Sequence, residues 1–109
     1  MYYIYMLRCK DNSIYTGITS DINRRMNEHF HKTKKCAKYT YNHSATKLEN
    51  VWSTETRALA STLEYHIKKL SKIDKENLIK DEDIFKKVLP NKINYQSYNK
   101  IDIHSIHKK

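Results

Sequence analysis

Glycine occurs once in this chain, at Gly17, and proline once, at Pro90. Glycine is the usual residue where backbone takes an unusual dihedral or is approached closely, and inside a strand it weakens pairing. Gly17 sits in SIYTGITSDINRR, residues 13–25, so it marks either a strand irregularity or a place where ligand backbone passes over. Cysteine is as sparse, with Cys9 and Cys36 only and no CxxC spacing. Two such residues cannot make a zinc site by themselves, and a reduced cytosolic pair is expected ahead of a disulfide. No apolar run approaches a membrane span, and the start MYYIYMLRC lacks a basic segment followed by an apolar one, so a cytoplasmic protein with no membrane partner is expected. No internal repeat is visible. Phenylalanine is scarce beside tyrosine, two against nine, so hydroxyls are wanted as well as rings.

Acidic residues are the minority charge, 12 against 21 Lys plus Arg, for a formal net charge of +9 in 109 residues. That length suits one core and not two. The sign of the charge favours a polyanion, although lysines also serve simple solubility. Position sharpens the choice. Lys32, Lys34, Lys35, Lys38 and Lys47 follow one another with no acidic residue between them, and Tyr39 and Tyr41 are interleaved. Cations for phosphates beside rings for bases or sugars suit a nucleic-acid groove.

Residues 2–9 and 14–19 are rich in β-branched and aromatic side chains and are separated by a turn composition, which predicts a hairpin. With a loop at Asp11, Asn12 and Ser13 and Asn12 left-handed, Tyr3, Tyr5, Leu7, Tyr15 and Gly17 share one face. Ile4, Met6, Ile14 and Ile18 share the other, which is expected to meet the core and leave the tyrosine face open. Ser20 or Asp21 can cap a helix carrying the stripe Ile22, Met26, Phe30; Arg25 and His29 flank that stripe while Arg24 points to solvent. Residues 31–44 read as an aperiodic basic loop, and 47–53 as a third strand. Ser53 or Thr54 then caps a helix with Leu59, Leu63, Ile67 and Leu70 inward and Glu64 at the margin. A third helix covers 70–80 with Leu70, Ile73 and Leu78 inward, and 84–89 makes one short helix before a weakly ordered basic tail.

Tyr3-Ile4-Tyr5, Tyr15-Thr16-Gly17, the spacing of Arg25 and His29 and the segment LEYHIKKLS with Glu64 occur in this order within residues 1–80. Together they resemble the GIY-YIG nuclease domain, and within it the small stand-alone bacterial YhbQ-like members. The resemblance implies an α+β fold, a small three-stranded antiparallel sheet packed with helices in the order β-β-α-β-α-α. It implies a nuclease-like domain at 1–80 and an extension at 81–109. The signature tyrosines fall on Tyr5 and Tyr15, Gly17 closes the second signature, and the family arginine, histidine and metal-binding glutamate fall on Arg25, His29 and Glu64. Tyr3 stands where many relatives have glycine, and Thr16 replaces isoleucine on the face opposite Tyr15. Lys38 lies in CAKYT, which is similar to the subfamily loop.

The implied chemistry is divalent-metal-dependent cleavage of phosphodiester bonds, with DNA as substrate, RNA left open, and single-stranded or branched DNA ahead of plain duplex. Repair or recombination is the corresponding setting. Glu64 is the hard oxygen ligand for Mg²⁺ or Mn²⁺, Arg25 grips the phosphate, Tyr5 or a water it orients is the base with Tyr15 beside it, and His29 carries a proton or donates to phosphate. A tyrosine works as a base near neutrality only where cations favour its phenolate. Gly17 leaves room for substrate backbone, and Lys32, Lys34, Lys35, Lys38 and Tyr39 line the nucleic-acid path. The alternative is a module that binds nucleic acid on the same surface without cutting it; Glu64 speaks against that, since a bare carboxylate repels phosphate.

Overall fold

The computed structural model describes residues 1–32 and 37–106. Strands β1 (Tyr2–Cys9) and β2 (Ile14–Thr19) form the hairpin, followed by helices α1 (Ile22–Phe30) and α2 (Lys38–His43). Strand β3 (Ala45–Thr54), helices α3 (Arg57–Lys68), α4 (Lys72–Lys80) and α5 (Phe85–Val88) and a two-residue strand β4 (Asn99–Lys100) complete the order. The fold is α+β, with one antiparallel sheet in the order β2-β1-β3-β4. The sheet has four strands where three were expected, because the extension returns along β3 and pairs Lys100 with Trp52.

The hairpin has the expected parity. Tyr5 faces Gly17 and Leu7 faces Tyr15 across the strands, while Ile4 and Met6 face Ile18 and Thr16. Asn12 supplies the left-handed residue at φ 69°, which an asparagine tolerates in a tight turn. Asp21 caps α1 by accepting from the Arg24 N–H at 3.1 Å, and Ile22 and Met26 are buried.

Both faces of the sheet are covered, which corrects the expected open tyrosine face. Ile4, Met6 and Trp52 pack with Ala60, Leu63 and Ile67 of α3 and Leu78 of α4. On the other side Tyr5, Leu7, Leu48 and Val51 pack under Ile22 and Met26 of α1. An apolar helix stripe needs an apolar partner, and the Tyr5 face provides it.

Other expectations shift by local chemistry. The stretch 31–44, predicted as loop, contains the six-residue α2, whose Tyr41 N–H reaches the Ala37 carbonyl at 3.0 Å. Thr56, not Ser53 or Thr54, caps α3 through the Leu59 N–H at 3.1 Å, because β3 runs on through Thr54. Ile73 is 72% exposed where an inward position was predicted; Ser71 caps α4 and turns Leu78 inward instead. The extension is no loose tail over its described length: Phe85, Leu89, Ile93, Tyr98 and Ile106 are all buried. Tyr98 donates to the Leu59 carbonyl at 2.7 Å, tying the extension to α3. No helix among the described residues is long and apolar enough to cross a membrane.

Candidate active site

The one glycine places the first tyrosine. A side chain added at Gly17 would put its Cβ 2.5 Å from the Tyr5 hydroxyl oxygen and 2.7 Å from Cζ, closer than any Cβ contact tolerates. Gly17 has no positive φ, so its value here is the missing side chain. The room expected above it for substrate backbone is filled by the Tyr5 phenol.

Tyr5 is 1% exposed, and its hydroxyl is held by two residues of α1. His29 Nε2 lies 2.8 Å from the Tyr5 oxygen, and Arg25 Nε donates to that oxygen at 3.4 Å. The spacing of four residues brings Arg25 and His29 to the same side of the helix, as expected, while Arg24 is exposed and lies 4.0 Å from Asp21.

The proton positions follow from the next link. Thr40 Oγ1 donates to the Ala37 carbonyl at 3.1 Å, which uses its one proton. It therefore accepts from His29 Nδ1–H at 2.7 Å. Nε2 is then the bare nitrogen, so the Tyr5 O–H donates to it. Burial, aided by the cation of Arg25, lowers the His29 imidazole from 6.5 to about 4 and keeps it neutral in this role. His29 is fully buried with both ring nitrogens engaged, so of the two roles expected for it, carrying a proton or donating to a phosphate, its position suits the first and not the second. Burial pushes the Tyr5 phenol well above its ordinary value of 10, with Tyr15 adding to the effect and Arg25 opposing it.

Two partners escaped the sequence. Glu28, 8% exposed, accepts from Arg25 Nη1 at 2.8 Å and steers the guanidinium toward Tyr5. Its position three residues after Arg25 was the available signal. Thr40 had none, since it lies in a segment without periodicity.

Tyr15 is half-buried, with its ring centroid 6.2 Å from that of Tyr5 and 5.6 Å from His29. It stacks at 5.5 Å on Tyr39, which stacks at 4.2 Å on His43. Tyr39 thus joins the site. Lys32 and Lys38 are exposed, and Lys32 Nζ stands 5.7 Å over the Tyr41 ring. Lys34 and Lys35, and with them Cys36, lie outside the described residues. Cys9 is buried with a free thiol.

Glu64 comes to the site from α3. Its charge reaches Tyr5, where it opposes the phenolate, and its carboxylate pairs with Lys68 at 3.2 Å while Lys68 Nζ stands 5.8 Å from the Tyr15 ring centroid. No group of three or more His, Cys, Asp and Glu side chains fit to cage an ion occurs among the described residues. A lone, partly exposed carboxylate suits Mg²⁺ or Mn²⁺, ions that keep waters and share substrate phosphate; it does not suit zinc.

The family model of the GIY-YIG catalytic domain matches residues 1–77. UPF0213 protein FN1575 of Fusobacterium nucleatum is 47% identical over 90 residues, covering 83% of this chain and 88% of the relative. UPF0213 protein YhbQ of Salmonella typhimurium is 38% identical over 88 residues, covering 81% and 86%. The solution NMR structure of UPF0213 protein BH0048 from Bacillus halodurans is 40% identical, covers 73% of this chain and 84% of its own, and superposes with a TM-score of 0.48.

Proposed function

Because the chain belongs to the GIY-YIG catalytic domain family, whose domain is of nuclease type, we propose that it is a divalent-metal-dependent endonuclease hydrolysing phosphodiester bonds in DNA. The observation that carries this is the Tyr5 oxygen held between Arg25 and His29.

Tyr5 takes the proton of the attacking water as its own O–H proton passes to His29 Nε2. His29 then carries the positive charge and stays oriented by Thr40. Arg25 stands beside the oxygen and favours the phenolate character that burial resists, and it faces the charge that grows on the phosphate. Glu64 would hold the Mg²⁺ or Mn²⁺, with Lys68 released to the substrate side. When bound, such an ion neutralises charge on the phosphoryl oxygens and polarises them for attack. Tyr15 packs beside Tyr5 and joins it to the ring stack.

That stack of Tyr15, Tyr39 and His43 supports single-stranded or branched DNA over plain duplex, since stacking on side-chain rings needs bases free of their own stack. A role in DNA repair or recombination, in a reduced cytoplasmic setting, fits such a substrate. One observation favours the alternative, a module that binds without cutting: Lys68 already neutralises Glu64.

The test is a gel assay of end-labelled single-stranded, duplex and branched DNA, with RNA alongside, in Mg²⁺, Mn²⁺ or EDTA. Cutting that needs the metal and is lost in Glu64→Ala is expected. Binding without cutting in every condition, unchanged by Glu64→Ala, would put the binding module in its place.

A further inference from the structure

A second set of cations stands next to the tyrosine site, on α3 and α4 and not in the basic segment 32–47. An open cavity of about 400 Å³ lies between the hairpin turn at 11–14, Tyr39 of α2, and Lys72 and Lys75 of α4. Tyr39 is the wall it shares with the site, through its stack on Tyr15. Lys68 stands over Tyr15 at the junction.

The charges around this cavity are nearly all matched. Lys68 pairs with Glu64 at 3.2 Å, and Lys72 pairs with Glu76 at 3.2 Å and donates to the Asn12 carbonyl. Glu76 is also bound by Arg8. Asp11, the carboxylate that faces the cavity from the turn, accepts from the Ser13 N–H at 3.1 Å and pairs with His43 at 2.6 Å. Lys75 is the exception. Its side chain is half-buried and, although its backbone N–H bonds the Ser71 carbonyl at 3.0 Å, its ammonium has no hydrogen-bond or ion-pair partner among the described residues. Burial and the nearby charges of Lys72 and Lys68 hold its ammonium below its ordinary range. An unmatched cation among like charges is stabilised by an arriving anion.

We propose that this cavity is a subsite for a backbone phosphate of the nucleic-acid strand that runs through the tyrosine site. Lys75 is its principal cation, and Tyr39 lies under the adjoining nucleotide. This rests on the nucleic-acid reading above and adds to it the direction of the strand: past Tyr15 and Tyr39 toward α4. A strand on this course meets a ring and a cation in alternation, the pattern that holds single strands without reading their sequence.

The experiment measures binding of a fluorescent single-stranded oligodeoxynucleotide in EDTA over a series of salt concentrations, for the wild type, Lys75→Ala and Lys100→Ala. Lys100 lies on β4, at the sheet edge opposite β2, and removes the same charge. Lys75→Ala is expected to weaken binding about threefold to tenfold and to reduce the salt slope by about 0.7, the share of one single-strand phosphate. Lys75→Arg is expected to restore both, and Lys100→Ala to leave the slope unchanged. Equal effects of Lys75→Ala and Lys100→Ala would overturn the subsite while leaving nucleic-acid binding in place. No binding by the wild type would instead remove the reading on which it rests, a distinct pattern.

Discussion

The hydroxyl of Tyr5 lies where a side chain on Gly17 would begin. The two residues face each other across the hairpin, and the phenol bends over the glycine to reach Arg25 and His29 of α1. One missing Cβ therefore makes room for the Tyr5 hydroxyl between Arg25 and His29.

Gly17→Ala is expected to displace the Tyr5 ring, because both close contacts are to the stiff phenol end. Overpacking of this kind costs about 1–3 kcal/mol. Cleavage should fall more steeply than stability, which single-turnover rates and urea denaturation of the same variant would measure. A full cleavage rate in Gly17→Ala would show that the Tyr5 position is unimportant.

Thr16 carries a buried hydroxyl with no hydrogen-bond partner among the described residues, on the face opposite Tyr5. Thr16→Val keeps the shape and removes the unsatisfied group, so it is expected to stabilise the fold by about 1 kcal/mol with cleavage unchanged. The urea midpoint checks this; a loss of stability would mean that the hydroxyl has a partner after all.

Thr40→Val should act on the chemistry through His29. Without the Thr40 oxygen, His29 can carry its proton on Nε2 and turn the Tyr5 proton outward. The expected result is a kcat lower by about tenfold, roughly 1.4 kcal/mol, with KM little changed. Thr40→Ser, which keeps the oxygen, should recover most of the rate. Failure of serine to do so would assign Thr40 to packing alone.

His29 also sets a pH dependence. Its imidazole is at about 4 in the fold against 6.5 in the unfolded chain. Between these values the unfolded chain binds the proton and the folded one does not, so stability falls as pH drops from 6.5 toward 4. The Asp11 and Glu76 carboxylates, held down at about 2, lose their contributions at lower pH, below their ordinary values. A Tm series from pH 7 to 4 should therefore slope less in His29→Gln than in the wild type. An identical slope in that interval would contradict the buried neutral histidine.

The hairpin, α1 and the shared flank of Arg25 and His29 were legible because period-two and period-3.6 patterns determine which side chains share a face, whereas the grouping of that flank with Tyr5 was implied by the family resemblance alone. Three things were not. Residues 81–106 bury Phe85, Leu89, Ile93 and Tyr98 through short turns, so their spacing shows no period. Thr40 enters from a six-residue helix without an apolar stripe. The role of Gly17 was legible only as a need for space. That its partner is Tyr5, and not the substrate, depends on how far the phenol leans across the strand, which no sequence pattern specifies.

The most direct test of the tyrosine site is single-turnover cleavage by Tyr5→Phe in Mg²⁺, beside its DNA affinity in EDTA. Phenylalanine keeps the ring over Gly17 and removes only the oxygen shared by Arg25 and His29. Affinity near that of the wild type, with cleavage slower by about a hundredfold or more, is expected of a general base. Cleavage by Tyr5→Phe at the wild-type rate would contradict the assignment.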